Sequence, residues 1–478
     1  MTTARIDERA ETLIVAGSGH APVNAELVGA RAGVVGTIDG DADGWEARFP
    51  LRASRWGGAE LPLPAGEYEL RVPEAALDDL AIAPIVLTGL RVALSGDRVR
   101  IGPPLDPVYE SVEGQSTLEG RYLAQAGATE NAVFFESFYG QSVGCNPRAI
   151  DRELAAQAPA VRRYWSVTDL SVAIPDGAIA VVEGSPEWWR ARGAARLLVV
   201  NDWLRRRFSR KAGQTVLQTW HGTPLKRLAL HRPGFDPRRM AAVVKESRRW
   251  DVLLAQNPYS ARILKKAYAF FGRPIWTEGY PRNDALRGGD PAVVRAALGI
   301  QADERVLLYA PTWRDDRSEM VDFVDPELLA EQADAVVLVR GHSRTLKPGR
   351  DRAGARVIDV TGYPETAQLL LAADGLITDY SSVMFDFSVT GKPMYFLVPD
   401  LDHYRGELRG FYFDLAERAP GPLVHNQEEL AAALADAGHE QRYAERYAAW
   451  RAQFNTRDDG HAAQRVVARI LDQGFVTR

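Results

Sequence analysis

From about residue 112 onward, short apolar runs alternate with stretches of helical pattern. Residues 132–135, 197–200 and 306–310 are examples of these runs. The alternation indicates parallel sheets, because two parallel strands need a long crossover between them, usually a helix. A Gly-Gly-Asp-Pro stretch at residues 288–291 interrupts the pattern, and such residues end helices and strands alike. We therefore predict an α/β fold in two units, joined by a hinge at that stretch.

Residues 1 to about 105 follow a different pattern. Short runs such as 12–15 and 67–72 are separated by Gly, Pro and Asp, and residues 98–101 alternate with a period of two. Regularly spaced short strands of this kind indicate an antiparallel sandwich. We predict a β-sandwich accessory domain over 1–105, a Rossmann-like domain over 112–287 and a second one over 291–478. The final helix of the second domain is a candidate to cross back to the first.

The composition narrows the class of protein. The single cysteine, Cys145, excludes an intrachain disulfide framework and suits a reducing cytoplasm. The N-terminus has no apolar core, so we expect no signal peptide. The most apolar stretch, residues 80–94, is interrupted by a proline, a glycine and an arginine, so we expect no membrane-spanning helix.

The formal net charge is −5, but its distribution is uneven. Residues 203–249 contain thirteen Lys or Arg against two acidic residues, a balance of +11. Because apolar side chains are interspersed, we predict that Arg205, Arg206 and Arg207 contact an anionic membrane surface. Two alternatives stay open, namely binding of a polyanionic partner and a merely solvated helix face. No nucleic-acid-binding motif accompanies the stretch, so nucleic acid is not an expected partner.

A β-branched run at residues 215–219 leads into Trp-His-Gly-Thr-Pro, whose glycine and proline stop the strand. This places His221 at the carboxyl end of a strand, where open α/β sheets bind their ligands. Histidine is suited to proton transfer near neutral pH. Lys226 and Arg227 follow, so anionic substrate groups would be neutralised nearby. The alternative is a strand-end histidine that only caps a loop.

A second histidine, His342, also follows an apolar run, residues 336–339, and Arg340 lies two residues before it. The pattern therefore predicts a second histidine at a strand's carboxyl end, in the other α/β unit.

A strand at residues 375–377 ends in Thr-Asp-Tyr-Ser-Ser, and a helix is predicted over 383–390. Ser381 and Ser382 suit N-cap positions, and the unpaired N–H groups of a helix start bind anions. We interpret the turn as a cradle for a diphosphate. A pair of ordinary helix caps is the alternative.

Several motifs in this order resemble one known family. The motifs are FFESFYG (134–140), WHGTPLK (220–226), GYPRND (279–284), YAPTWR (309–314), RGH (340–342), TDYSS (378–382) and RGFYFD (409–414). Together they resemble the CDP-glycerol glycerophosphotransferases, which include teichoic-acid primases and polymerases, over about residues 112–470. The N-terminal sandwich lies outside this resemblance.

The resemblance implies two Rossmann-like domains facing a cleft, the GT-B glycosyltransferase architecture. It implies transfer of glycerol phosphate, or ribitol phosphate, from a CDP-alditol to a hydroxyl of a lipid-linked polymer, with release of CMP. The implied acceptor is linked to undecaprenyl diphosphate. The implied location is the cytoplasmic face of the cell membrane, as a peripheral protein. The oligomeric state is left open.

The resemblance also implies roles for individual residues. His221 matches the proposed general base on the acceptor side, and His342 matches the second essential histidine. Gly410 and Tyr412 are expected to shape the nucleoside pocket. The residues assigned to donor binding are Thr312, Arg314, Arg340, Thr378, Asp379, Ser381 and Ser382. Those assigned to acceptor binding are Gly222, Thr223, Lys226, Arg227, Arg282 and Asn283.

The implied chemistry fits these residue types. The acceptor alcohol must lose a proton as it attacks the β-phosphorus, and a histidine can accept it near neutrality. The negative charge that develops on CMP can be stabilised by His342, Arg340 and the start of the serine-capped helix. We assign no Asp-x-Asp pair to a strand end in the cleft, and we interpret Asp315-Asp316 as a solvated loop. We therefore expect no cofactor and no obligatory metal.

Two other functions remain possible from the sequence. A glycosyltransferase could hold a UDP- or GDP-sugar in the same cradle, and a non-catalytic protein could bind the polymer. Retention of both His221 and His342 argues against the second. The chain shows no clear second catalytic module, so it need not be a long-chain polymerase. Donor identity, product length and the residues that read cytosine stay open.

Overall fold

The computed structural model describes residues 2–41, 43–125, 127–312, 323–341, 354–408 and 410–478. Two residues of the predicted site, Arg314 and His342, lie outside the described residues, as does Asp315-Asp316. Among the helices that are described, none is both long and apolar enough to cross a membrane.

The N-terminal β region, residues 2–102, consists of antiparallel sheets around one core. One sheet has the order β1-β2-β6-β5, a second has the order β10-β11-β12-β9-β3-β4, and β7 and β8 form a separate ribbon. Val99 and Ile101 are buried while Arg98 and Arg100 are exposed, as the period-two pattern predicts. The strands are β1 Thr3–Asp7, β2 Thr12–Ser18, β3 Glu26–Gly29, β4 Gly33–Val35, β5 Thr37–Gly40, β6 Gly44–Pro50, β7 Arg52–Ser54, β8 Glu60–Pro62, β9 Gly66–Arg71, β10 Ala81–Val86, β11 Arg91–Ser95 and β12 Arg98–Gly102.

The first parallel unit is a sheet of order β15-β14-β13-β16-β17-β18-β19 with helices packed on it. The direction of strand succession reverses between β13 and β16, and such a reversal opens a crevice at the strands' carboxyl ends. Its elements are α1 Val112–Ala124, β13 Glu130–Glu136, α2 Cys145–Gln157, β14 Arg162–Val167, β15 Ile179–Val182, α3 Pro186–Ala194, β16 Ala195–Val200, β17 Thr215–Gln218, α4 Pro237–Ser247, β18 Val252–Ala255, α5 Pro258–Ala267 and β19 Ile275–Thr277.

The second parallel unit is a sheet of order β22-β21-β20-β23-β24-β25, which reverses between β20 and β23. The α/β class with parallel sheets is thus confirmed. The elements are α6 Ala285–Gly288, α7 Pro291–Ala297, β20 Val306–Ala310, α8 Pro326–Gln332, β21 Val336–Val339, β22 Val357–Asp359, α9 Thr366–Ala372, β23 Gly375–Thr378, α10 Val383–Phe387, β24 Met394–Leu397, α11 Leu401–His403, α12 Leu415–Arg418, β25 Leu423–Val424, α13 Gln427–Ala435, α14 His439–Phe454 and α15 Ala462–Asp472.

The helix predicted over 383–390 is shorter than expected, because α10 ends at Phe387. Beyond it, the N–H groups of Val389 and Thr390 bond three residues back, to Asp386 and Phe387. The hydroxyl of Thr390 also donates to the Phe387 carbonyl at 2.7 Å. A threonine that bonds a nearby carbonyl competes with regular helix, so the last turn tightens.

Helix α15 packs on the first unit although it follows the second unit in the chain. Val466, Val467 and Ile470 lie in the same buried cluster as Ile150 and Leu154 of α2. The strongly one-sided apolar pattern of α15 explains this, because its buried face needs a partner and α2 supplies one.

A buried ion pair secures α2 to the first sheet. Arg163 on β14 donates to Asp151 on α2 at 2.9 Å, and their side chains are 8% and 0% exposed. The second oxygen of Asp151 accepts from the indole of Trp165 at 3.0 Å. A buried charge without its partner is strongly destabilising.

We therefore expect Asp151→Ala to lower the free energy of unfolding by about 3–5 kcal/mol. Urea unfolding, followed by tryptophan fluorescence, measures the change. Glu119→Ala is the matched control, because the Glu119–Arg207 pair of the same unit is largely exposed and should leave the transition nearly unchanged. Equal urea midpoints for the two variants would show that the buried pair contributes no more to stability than the exposed pair does.

Candidate functional site

A cavity of about 870 Å³ lies where the three parts of the chain meet. The first unit lines it with Phe138, Cys145, His221 and Arg282, and the second with Arg340, Ser381, Ser382 and Asp386. The N-terminal β region supplies the remaining wall, including Arg31, Arg55 and Trp56. Of the residues predicted from sequence, His221, Arg282, Asn283, Arg340, Ser381 and Ser382 are thus brought to one cavity.

The turn after β17 places His221 at the cavity. Trp220 adopts a left-handed backbone conformation, with φ of 53°, which is unusual for a bulky residue. The turn is held by Asn146, whose amide donates to the Trp220 carbonyl at 3.1 Å, and by Gln218, whose side chain accepts from the Trp220 N–H at 2.9 Å. Such strain persists only where the surroundings enforce it, and it is common at functional sites.

The hydrogen bonding of His221 fixes its tautomer. Its Nδ1 lies 2.6 Å from the backbone carbonyl of Asn201, and a carbonyl can only accept, so Nδ1 carries the hydrogen. In the neutral ring, Nε2 then carries the free lone pair. The ring is further oriented by stacking on Trp220, with centroids 4.7 Å apart. His221 is therefore arranged as a proton acceptor through Nε2.

The environment keeps this imidazole neutral. Burial lowers the pKa of His221 below its usual 6.5, and the positive charge of Arg282 adds to that shift. The nearby Asp202 carboxylate and the Asn201 carbonyl act in the opposite direction but do not reverse it. At neutral pH the ring is thus mostly in its basic form.

Sequence reasoning missed Asn201, which connects the two strands at the reversal of the first sheet. It directly follows β16, and its side-chain oxygen accepts from the Phe138 N–H at 2.8 Å while its carbonyl accepts from His221. Its position at the carboxyl end of an apolar strand was a usable signal, because the same kind of position pointed to His221.

Arg282 joins the two parallel units. Its guanidinium donates to the Asp386 carboxylate at 2.7 Å, to the His221 carbonyl at 3.0 Å and to the Cys145 sulfur at 2.9 Å. Burial by itself would lower the pKa of Arg282, but the Asp386 charge outweighs it and raises the pKa above its usual range. The guanidinium is therefore charged, and its hydrogen bonds hold the first parallel unit together and join it to the second.

Asn283 and Asp458 complete this contact. The Asn283 amide donates to Asp386 at 3.0 Å and to Asp458 at 3.1 Å. Burial raises the pKa of Asp458 to about 6, although its hydrogen bonds from Gln256, Tyr280 and Asn283 oppose the shift. We call Arg282, Asn283, Asp386 and Asp458 the clasp. Neither Asp386 nor Asp458 was predicted, because their partners are far away in sequence.

The two predicted turns touch. A Cβ added to Gly222 would lie 2.5 Å from the Ser382 hydroxyl oxygen and 3.0 Å from the Ser382 Cβ, so the serine would have to move. The absence of a side chain on Gly222 therefore permits this close approach. Ser382 occupies the N-cap position of α10 without bonding a helix N–H through its side chain, so the hydroxyl is not used as a cap.

The other four described residues that were predicted to bind the donor substrate make hydrogen bonds within the protein. Both oxygens of Asp379 accept from the Thr312 N–H, at 2.9 and 3.1 Å, and the Thr378 hydroxyl donates to Ala310 at 2.7 Å. Arg340 donates to the carbonyls of Val360 and Tyr363, and burial lowers its pKa to about 10. Of these four predicted residues, Arg340 alone borders the cavity in the described part of the chain.

The predicted acceptor residues after Gly222 lie elsewhere. Thr223 is 1% exposed, and its hydroxyl contacts Gln256 at 2.5 Å and Ser260 at 2.9 Å, so it stabilises the turn from inside. Lys226 and Arg227 pair with the 410–412 segment, where the Arg227 N–H donates to Gly410 at 3.0 Å. Arg227, Gly410 and Tyr412 border a separate pocket of about 470 Å³. These three residues are therefore not placed at His221.

The predicted membrane residues are exposed but have partners within the protein. Arg205 lies over the Tyr139 ring at 3.7 Å, Arg206 pairs with Glu183 at 2.7 Å, and Arg207 pairs with Glu119 at 3.5 Å. Within the described residues, no group of three or more His, Cys, Asp or Glu side chains is arranged to hold a metal.

Curated relatives match between 63% and 73% of this chain. A teichoic acid glycerol-phosphate transferase of Staphylococcus aureus is 35% identical over 72% of this chain and 93% of its own length. A teichoic acid poly(glycerol phosphate) polymerase of Bacillus subtilis is 38% identical over 63% of this chain, which spans only 43% of that relative. A polymerase of the same name from Bacillus spizizenii is 32% identical over 73% of this chain and 94% of its own length.

Solved structures agree with these relatives. The wall teichoic acid polymerase TagF is similar with a TM-score of 0.69 and 32% identity, over 76% of this chain and 94% of that one. The profile of the family described as CDP-Glycerol:Poly(glycerophosphate) glycerophosphotransferase matches residues 121–472. This match confirms the family that the ordered motifs resemble, and the chain belongs to the CDP-glycerol:poly(glycerophosphate) glycerophosphotransferase family.

Proposed function

We propose that this protein transfers glycerol phosphate, or a related alditol phosphate such as ribitol phosphate, from a CDP-alditol to a hydroxyl of a teichoic-acid or similar polymer. The observation that carries the proposal is His221, held with a basic Nε2 at the same cavity as Ser381, Ser382 and Arg340. Family membership and relatives named as glycerol-phosphate polymerases and transferases support the substrate class.

In this proposal, the acceptor hydroxyl oxygen attacks the β-phosphorus of the CDP-alditol. Its proton passes to Nε2 of His221 as the new P–O bond forms, and the bond to the CMP oxygen breaks. Arg340 lines the cavity and is still protonated at neutral pH, so it can balance charge on the donor. His342, matched through the RGH motif, is proposed to stabilise the leaving CMP.

We further propose the GT-B arrangement, with the two parallel units facing a cleft and donor and acceptor entering from opposite sides. The reversal point of each sheet supports this, because each one ends near the cavity. The similarity to TagF over 76% of the chain supports it as well. The donor is then proposed to lie against Ser381, Ser382 and Arg340, with Thr378 and Asp379 holding that turn in place. No cofactor or obligatory metal is part of the proposal.

The direct test incubates the purified protein with a soluble glycerol phosphate acceptor and, separately, CDP-glycerol, CDP-ribitol, a UDP-sugar and a GDP-sugar. We expect acceptor-dependent release of CMP from a CDP-alditol, retained after EDTA treatment. Transfer from a sugar nucleotide would establish the glycosyltransferase alternative. Binding of the acceptor without turnover of any donor would establish the non-catalytic alternative. Loss of turnover with EDTA would contradict the metal-free mechanism.

His221→Gln should lower the turnover number by about 10²–10⁴-fold, the usual contribution of a general base, while CDP-alditol binding stays nearly intact. In the wild type, kcat/KM should fall with decreasing pH through an apparent pKa below 6.5, because burial lowers the pKa of His221. The residual rate of the variant should lack this acidic limb. Stopped assays over a pH series and calorimetry with the donor measure both effects, and an unchanged acidic limb in the variant would remove His221 as the base.

We propose that the protein binds peripherally to the membrane through the basic stretch of residues 203–249. Besides Arg205, Arg206 and Arg207, this stretch exposes Phe235, which is 85% accessible and lies two residues before the basic helix α4. An exposed aromatic beside cations suits an anionic bilayer. An undecaprenyl-diphosphate-linked acceptor would be reached from such a surface.

Charge reversal of Arg205, Arg206 and Arg207 together should release the protein from vesicles that contain anionic lipid, with turnover of a soluble acceptor retained. Each cation near such a surface contributes about 1 kcal/mol. Phe235→Ser should weaken vesicle binding as well, without touching an ion pair. Sedimentation at low and high salt measures both. Full vesicle binding by the triple variant, with a raised KM for a polymeric acceptor, would mean that these arginines bind the polymer instead.

A further inference from the structure

The outer wall of the cavity comes from the N-terminal β region and not from either parallel unit. Arg31, Arg55, Trp56 and much of the segment 58–65 line the same space as His221. The family profile begins at residue 121, so this wall lies outside the part of the chain that the family shares. A donor substrate that all members of a family use is recognised by the part of the chain that they share. A wall outside that shared part is where this protein would recognise a feature of its own acceptor.

The tip of the β7–β8 ribbon rests on the second unit. The rings of Trp56 and Tyr363 have centroids 5.5 Å apart. The Arg55 guanidinium lies against Gly362, where an added Cβ would be 2.9 Å from Nη2. Trp56 and Gly57 both have positive φ, at 55° and 65°, so the chain turns tightly at the tip that carries the side chains of Arg55 and Trp56.

The base of the same wall is attached to the first unit. Arg31 pairs with Asp169 at 3.3 Å, and the same carboxylate oxygen accepts from the Ala65 N–H at 3.0 Å. Asp169 is 3% exposed, whereas the Arg31 side chain keeps 38% of its surface accessible. The β region is therefore fixed at both ends across the cavity, with an arginine at each attachment.

Arginines outnumber carboxylates in the described lining of the cavity, which contains Arg31, Arg55, Arg282 and Arg340 together with Asp169, Glu365 and Asp386. The carboxylates that line it are already engaged, because Asp169 bonds Arg31, Glu365 pairs with Arg148 and Arg152, and Asp386 lies in the clasp. In addition, Trp56 Nε1 is shielded from solvent and has no acceptor among the described residues, and a buried donor of this kind is uncommon. A phosphate oxygen would be a suitable acceptor for it.

We propose that Arg31 and Arg55, together with Trp56, form a subsite for a phosphodiester of the acceptor polymer, behind the terminal hydroxyl that His221 deprotonates. An arginine fork matches the geometry of phosphate oxygens, and such charged bonds are strong. The subsite lets the enzyme distinguish an acceptor that already carries alditol phosphate units from one that carries a single unit. This inference rests on the proposed function, since it takes the acceptor to be a poly(alditol phosphate).

The test measures binding without turnover, using the full-length protein and calorimetry. The probes are a soluble glycerol phosphate oligomer, a single-unit glycerol phosphate acceptor and CDP-glycerol. Arg55→Gln and Arg31→Gln should each raise the Kd of the oligomer about tenfold, the loss expected for a charge-assisted bond, and should leave the Kd values of the single unit and of CDP-glycerol unchanged. Ser382→Ala, on the donor side, should show the opposite selectivity.

Arg71→Gln is the matched control, because Arg71 is an exposed arginine of the same β region, paired with Glu69 and outside the cavity lining. It should bind all three probes as the wild type does. Arg55→Gln leaves the Asp169 attachment in place, so it decides the matter if Arg31→Gln fails to fold. Oligomer binding by Arg55→Gln that equals the control overturns the subsite, and so does a change confined to CDP-glycerol. A wild type that turns over no CDP-alditol would instead remove the proposed function.

Discussion

The architecture depends on one buried ion pair, between Arg282 of the first parallel unit and Asp386 of the second. The two side chains are 13% and 7% exposed, so either charge would be strongly unfavourable alone. Because Arg282 also donates to the His221 carbonyl, the contact that joins the units also sets the position of the histidine turn. The absence of a side chain on Gly222 then lets that turn reach Ser382. The contact that joins the two parallel units thus also fixes the geometry around His221.

Both parallel sheets contain the same local hydrogen-bond arrangement. In the first, the residue after β16 uses its side chain, Asn201, to accept from the backbone N–H of Phe138, which follows β13. In the second, Asp379 after β23 accepts in the same way from Thr312, which follows β20. Both pairs bridge the strands where the sheet order reverses. Each crevice is therefore held at a fixed width by a side chain that need not touch a substrate.

Local pattern was sufficient for much of the fold. The strand that ends before His221 and the period-two strands of the β region could be predicted because each is decided by neighbouring residues. The clasp could not, since Asp386 lies 104 residues from Arg282 and nothing local indicates the pairing. Thr223 looked like a ligand residue, but its hydroxyl turns inward to Gln256. The wall around Arg55 carries no motif at all, and its position follows only from how the β region docks.

The packing of α15 has a consequence for how the protein is made. Strands β13 to β19 leave the ribosome before the second unit, yet Val466, Val467 and Ile470 cover part of their core. Until α15 is synthesised, that apolar surface stays open to water or to chaperones. The unit that carries His221 therefore begins before the second unit in the chain but is completed by a helix that follows the second unit, so the nascent chain cannot acquire a complete His221 unit ahead of its partner.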